Sequence, residues 1–395
     1  MQFNTEYYDS PIFKVSSIPF NMIKCLEIKL GDEDLKNEVS SIPKYLFKSI
    51  CWIGLVEQSD KCLLYRTTTA LFQFAIVFIS LSMWISSFIA FDTQNFKITI
   101  AYVIGYSFAL GVYFSMRHKR KILTTTLRKL NQFPGPSGEK INFAILLLCC
   151  IPFVYSILKP VVYNDARAIR FEAYGYYVEN RVAQIVLISI KSFFYALVQP
   201  TSTTLIALLY CTLCQRCCVL LNHISQVIQL TSPDAFSYSR QMDVLKCKIK
   251  IDEILDSIQN VFSLPSFFMI VANFFTTGTV IGWFLFLDSS IYQLNEIAES
   301  VYHITTDFGC MIVVLWVAGG IPVQLEKLKD TFYKTLSLRY IFRCSVEEPQ
   351  LKKELFGKIN FVLTGCDVIS FKKSTILTVC GTLLTYTVLI VSTKS

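Results

Sequence analysis

Residues 68–91 read TTALFQFAIVFISLSMWISSFIAF, 24 consecutive positions without an acidic or basic side chain. A helix needs about 20 such residues to cross the roughly 30 Å hydrocarbon layer of a bilayer. Lipid offers no partner to backbone N–H and C=O groups, so a crossing segment bonds to itself and is helical. Six further blocks follow at 98–116, 142–163, 182–213, 261–287, 301–321 and 372–392. The chain as a whole is 53% hydrophobic and 17% charged, where a soluble domain carries about a quarter charged residues. The expected fold class is therefore all-α, a polytopic membrane protein with seven transmembrane helices.

The blocks are not equal. Block 98–116, with Tyr102, Tyr106, Ser107 and Tyr113, is the least apolar in character. Block 182–213 exceeds one simple crossing and contains Lys191 and Pro200, which predicts a tilted or kinked helix continuing beyond the bilayer. The run from Tyr45 to Val56 is too short to span and reads as an interfacial piece. The start, Met-Gln-Phe-Asn-Thr-Glu, lacks the basic and apolar regions of a signal peptide. Pro134-Gly135-Pro136-Ser137-Gly138 reads as a turn between the second and third spans.

Lys and Arg near span ends mark the cytoplasmic side. Counted over alternate connections, 25 fall on one side and 5 on the other. The rich side includes Arg117, Lys119, Arg120 and Lys121 and the stretch from 322 to the last span. This predicts a cytoplasmic N-terminus and, after seven crossings, an extracellular C-terminus. It also accounts for the net charge of +8 without a nucleic-acid partner. None of the 14 cysteines falls in a predicted outer loop, so they read as free thiols. Cys211, Cys214, Cys217 and Cys218 have only His223 nearby and read as packing or lipidation positions rather than a metal site.

The orientation excludes a G-protein-coupled receptor, whose N-terminus lies outside, and the last span has no Asn-Pro-x-x-Tyr pattern. An enzyme is not indicated: there are three histidines, no phosphate-binding glycine loop and no zinc-protease pattern, and no cofactor is implied. His303 and Asp307 share a helix face at i, i+4. Lys191 and Asp307 each cost about 2.5–3.5 kcal/mol within a bilayer on insertion scales. They either line a pocket or pair internally.

The chain end runs Lys358-Ile-Asn-Phe-Val-Leu-Thr-Gly365-Cys-Asp-Val-Ile-Ser-Phe371, then Gly381-Thr-Leu-Leu-Thr385-Tyr386-Thr-Val-Leu-Ile-Val391. It resembles the C-terminal signature of the arthropod chemoreceptor superfamily of gustatory and odorant receptors, a Thr-Tyr pair followed by mostly apolar residues and Gln-Phe. This chain has Ser392 and Thr393 in place of Gln-Phe, and Thr387 where the sugar-receptor branch tends to be acidic. Gly365 before the last span is closer to the gustatory branch. The resemblance implies a ligand-gated, non-selective cation channel of the plasma membrane. It further implies four like or related subunits around one pore, lined by the last helix of each.

Within that helix, Thr378, Thr382, Thr385, Leu389, Ser392 and Thr393 recur at helical spacing and form one stripe. Hydroxyls can face water along a pore, with Leu389 able to close it by dewetting. They can equally bond within the helix or across a helix contact. The resemblance also implies a small-molecule pocket, for a tastant or odorant, among the outer halves of helices two to six. Its candidates are Tyr102, Tyr106, Tyr155, Gln184, Trp283, Phe286, Tyr302, His303 and Thr306. Aromatic walls with a few polar groups suit a small amphipathic ligand.

The expected organisation follows. Residues 1–67 form a cytoplasmic segment with the short interfacial helix, and 68–321 form the first six helices and the pocket. A cytoplasmic helical extension covers 214–260, a second helical region 322–371, and the seventh helix and tail 372–395. The segments 214–260 and 323–371 place Leu, Ile and Val at helical spacing; the resemblance implies subunit contacts there, and an intrasubunit helical hairpin is the alternative. A secondary transporter is the competing class; it usually shows paired internal repeats with broken helices, and none is visible.

Overall fold

The computed structural model describes residues 42–57, 63–89, 96–133, 139–162, 171–286, 294–343 and 361–392. The turn expected at 134–138 lies outside the described residues. The short run near the N-terminus is helix α1 (Lys44–Trp52). Leu46, Ile50 and Leu55 are buried while Tyr45, Phe47 and Trp52 are exposed, so this piece is half packed into the core. Helices α2 (Leu63–Ile89), α3 (Phe96–His118), α4 (Arg120–Asn131) and α5 (Glu139–Val162) follow.

Next come α6 (Arg181–Ala196), a wide turn at Leu197–Ser202 and α7 (Thr203–Leu230). The kink predicted from Pro200 lies here: Gln199 has φ −146° and ψ 124°, and the Gln199–Pro200 peptide is cis. Helix α8 (Tyr238–Phe286) is 49 residues long, followed by α9 (Leu294–Ala318), α10 (Gly320–Arg343) and α11 (Lys373–Ser392). The described parts of all seven apolar blocks thus lie almost wholly on helices. Five of the described helical stretches are long and apolar enough to cross a membrane: Leu63–Ile89, Ile141–Val161, Arg181–Leu230, Tyr238–Gly282 and Ser300–Ile341. The expected count of seven differs from these five. The other two blocks lie on α3, with its Tyr and Ser residues, and on the hydroxyl-rich α11. The molecule is a multi-pass membrane protein built almost wholly of helices.

Lipid-facing surfaces are legible as exposed large apolar residues: Phe74, Phe78, Leu81 and Trp84 on α2, and Phe153, Val154, Ile157 and Leu158 on α5. In water such faces would be costly; against acyl chains they are matched. Helix α8 packs most extensively on α3 and α9, α5 on α6, and α7 on α10. The segments beyond the apolar blocks carry Ile251, Ile254, Leu255 and Ile258, all buried, so the helical spacing there describes one packed face. The eleven described cysteines are free thiols, and Cys214 and Cys217 are fully buried in this packing.

One element is not helical. Within the 322–371 region, where helix was expected, Thr364–Gly365 and Ile369–Ser370 pair as a two-stranded antiparallel hairpin. Its turn has Cys366 and Asp367 at φ 52° and 57°, the mirror-image turn that suits strand twist. The Gln259 carboxamide on α8 donates to Thr364 Oγ1 at 2.6 Å and accepts from Thr364 N–H at 2.9 Å. A Cβ at Gly365 would stand 3.3 Å from the Phe267 backbone, so the glycine allows the close approach. The hairpin fixes the start of α11 to the middle of α8.

Candidate functional site

Two features collect the polar groups of the apolar region. The first is a buried cluster at the end of the bundle away from the basic helical extensions. Lys191, from α6, places Nζ 2.5 Å from the Glu172 carbonyl oxygen and 3.7 Å from Glu172 Oε2. Lys159, from α5, lies 3.6 Å from Glu172 Oε1. All three side chains are at least nine-tenths buried, which makes the ion pairs geometrically strict rather than surface decoration. Lys191 Nζ also sits 3.8 Å from the Tyr174 ring centroid, and Lys159 Nζ 5.4 Å from that of Tyr155.

Aromatic rings extend from this polar end. Ser82 Oγ is within 2.8 Å of Tyr174 OH and 3.3 Å of Tyr195 OH. Tyr195 packs on Tyr106 at 5.6 Å between centroids, and Tyr155 stacks on Tyr302 at 6.4 Å. Several buried polar atoms nearby in sequence have no hydrogen-bond partner among the described residues: Ser86 Oγ, Ser87 Oγ, Ser192 Oγ, Gln199 Oε1 and Tyr302 OH.

Of the predicted pocket residues, Tyr106, Tyr155 and Tyr302 join this aromatic wall. His303 stands beside Tyr302 and has Nδ1 4.0 Å from Asp307 Oδ2. Thr306 donates to the Tyr302 carbonyl at 2.8 Å within its own helix. Gln184 donates to the Val178 carbonyl and fastens the entry to α6, apart from the wall. Tyr102, Trp283 and Phe286 lie on helices, but their side chains are outside the described residues. Of the two membrane charges singled out in the sequence, Lys191 pairs with Glu172, whereas Asp307 Oδ2 stands 4.0 Å from His303 Nδ1 with no hydrogen-bond partner among the described residues. Sequence reasoning passed over Lys159, Glu172, Tyr174, Tyr195 and Gln199. A charge inside block 142–163 was the available signal for Lys159.

The second feature is α11. Thr378, Gly381, Thr382 and Thr385 are exposed along one face, with Leu377, Leu384 and Val388 exposed beside them, whereas Leu383 and Thr387 are buried and Ile376, Val379 and Tyr386 are half-buried against the bundle. The exposed hydroxyls bond back to their own helix: Thr382 to the Thr378 carbonyl at 2.8 Å and Thr385 to that of Gly381 at 2.9 Å. Each still has lone pairs available to water. Leu389 and Ser392 lie on the helix with side chains outside the described residues, and Thr393 lies outside them altogether. Among the described residues no group of three or more His, Cys, Asp or Glu is placed to hold a metal.

This architecture is similar to that of an insect chemoreceptor. The solved insect olfactory receptor OR5 from Machilis hrabei superimposes with a TM-score of 0.65 at 14% identity, covering 87% of this chain and 95% of that one. The same receptor in complex with eugenol gives 0.64 at 13% identity, over 88% and 96%. No family model and no curated protein matches the sequence. At such identity the likeness is one of fold.

Proposed function

We propose that this chain is a gustatory-type chemosensory receptor of the plasma membrane, acting as a ligand-gated, non-selective cation channel. In this reading it crosses the membrane seven times with a cytoplasmic N-terminus, and four like or related subunits surround one pore. The observation that carries it is the exposed hydroxyl face of α11, on a chain whose fold is similar to that of an olfactory receptor over nearly its whole length. A hydroxyl-lined face left uncovered in the single chain suits a wet conduit at a symmetry axis. Leu389, four residues beyond Thr385, serves as the apolar constriction. The aromatic wall of Tyr106, Tyr155, Tyr195 and Tyr302 serves as the ligand pocket, a setting that suits small organic molecules such as the eugenol bound by the similar receptor.

Whole-cell recording from cells expressing the chain, against a panel of small organic compounds, tests this directly. Ligand-evoked, cation-unselective current supports it, and Leu389→Ala is expected to leak without ligand. One observation favours a secondary transporter instead: the helix break at Gln199, since broken helices carry substrate sites in transporters. Coupled solute uptake without channel openings would select that reading.

A further inference from the structure

The wide turn at Leu197–Ser202 joins α6 to α7 and packs against α3, α5 and α9. The helices that carry Tyr106, Tyr155, Tyr195 and Tyr302 therefore all reach it. Gln199 lies in this turn on extended backbone and is only 7% exposed. Its carboxamide is directed at α3, where a Cβ added to Gly105 would stand 3.3 Å from both Nε2 and Oε1. The glycine leaves α3 without a side chain where the carboxamide ends. The next residue is Tyr106, whose ring packs on Tyr195 at 5.6 Å, and Tyr195 lies four residues before Gln199. The carboxamide thus ends beside the Tyr106–Tyr195 part of the aromatic wall. Gln199 Oε1 has no hydrogen-bond partner among the described residues. The same holds for Thr201 Oγ1 in the same turn, a residue 1% exposed. Buried polar atoms are normally bonded to protein, water or ligand, and an unmet carboxamide oxygen is costly among apolar helices.

We propose that Gln199 is the polar anchor of the ligand pocket and binds the hydroxyl of a small aromatic alcohol or phenol, whose ring lies along Tyr106 and Tyr195. The assignment rests on the pocket reading above and deepens it by naming the ligand class and the residue that selects it. A hydroxyl donates and accepts, so it can serve Oε1 and Nε2 alike. An ether only accepts and leaves Oε1 unmet, and a hydrocarbon of the same shape meets neither end. A site built to hydrogen-bond a ligand hydroxyl rejects the analogue lacking it, because its own buried polar group is then left unpaired.

The test uses the full chain purified in detergent, with the rise in thermal unfolding temperature as the measure of binding. Three probes of one skeleton are titrated: 2-phenylethanol, its methyl ether and propylbenzene. The alcohol is expected to reach half its effect at a concentration about tenfold below that of the ether. Gln199→Met keeps the unbranched side chain and removes both hydrogen-bonding ends. It is expected to raise the half-effect concentration of the alcohol about tenfold and to leave the ether and propylbenzene within about twofold. Dividing variant by parent for each probe cancels partition into detergent, and a purely structural role for Gln199 would not change the selectivity. Equal or better stabilisation by the ether in the parent chain overturns the assignment without any variant. A Gln199→Met chain that keeps the parent's preference for the alcohol also overturns it. Recording with the same probes separates the two claims. Currents evoked equally by alcohol and ether sink the hydroxyl anchor alone, whereas Gln199-dependent binding of the alcohol without any current sinks the channel reading alone.

Discussion

Replacing Lys191 by Met removes one charge from the buried Lys159–Glu172–Lys191 cluster while keeping most of the side-chain volume. The Glu172 side chain is 4% exposed and that of Lys191 5%, so solvent cannot substitute for the missing ammonium. Removing one partner of a fully buried pair costs roughly 3–5 kcal/mol. Here Lys159 still faces Glu172 Oε1 at 3.6 Å, which brings the expectation to the lower end, about 3 kcal/mol. The lost hydrogen bond from Nζ to the Glu172 carbonyl is included in that figure. The assay is thermal unfolding of the purified chain in detergent, followed as a double-mutant cycle with Glu172→Gln. Glu172→Gln alone, which leaves two buried ammonium groups facing no carboxylate at this cluster, is expected to be the least stable member. The double variant Glu172→Gln with Lys191→Met is expected to be more stable than Glu172→Gln alone, because one of the two stranded ammonium groups is then gone. Wild-type stability for Lys191→Met, or a double variant no better than Glu172→Gln alone, would refute the buried ion-pair account.

Gly278 on α8 faces α11, where an added Cβ would lie 3.3 Å from the Tyr386 ring and 3.4 Å from Leu383; Gly278→Leu is therefore expected to push α11 outward and alter ligand-evoked current, measured against surface expression. Gln259→Ala removes the contacts to Thr364 that tie the hairpin to α8, at a cost of about 1–3 kcal/mol, and limited proteolysis should then cut faster near residues 364–370. Gly381 has nothing within 4 Å of an added Cβ, so Gly381→Phe is expected to leave the thermal stability of the subunit unchanged while abolishing current.

The parts of the structure legible in sequence are those fixed by local composition. Apolar blocks fall on helices because lipid leaves the backbone no alternative, and Pro200 disturbs block 182–213 because it lacks an N–H and bars a regular helix. The helical spacing of Thr378, Thr382 and Thr385 placed them on one face, although not which face would be left open. What stayed hidden depends on partners far apart in the chain. Glu172 sits in a connecting segment that looks like any polar loop, and only folding brings it between Lys159 and Lys191. The hairpin is held through Gln259 and Thr364, 105 residues apart, and Cys366 gives little warning of a left-handed turn. Helical spacing of apolar residues on either side therefore suggested continuous helix.

The central claim, that α11 lines a ligand-gated pore, is tested most directly by cysteine accessibility during ligand-evoked current. Thr382→Cys and Thr385→Cys lie on the exposed face, and Leu383→Cys lies on the buried face of the same turn. The account predicts that a charged, membrane-impermeant thiol reagent blocks current through the first two variants in the presence of ligand and leaves Leu383→Cys and the parent chain unaffected. Equal insensitivity of all three positions, in channels that still open to ligand, would contradict it.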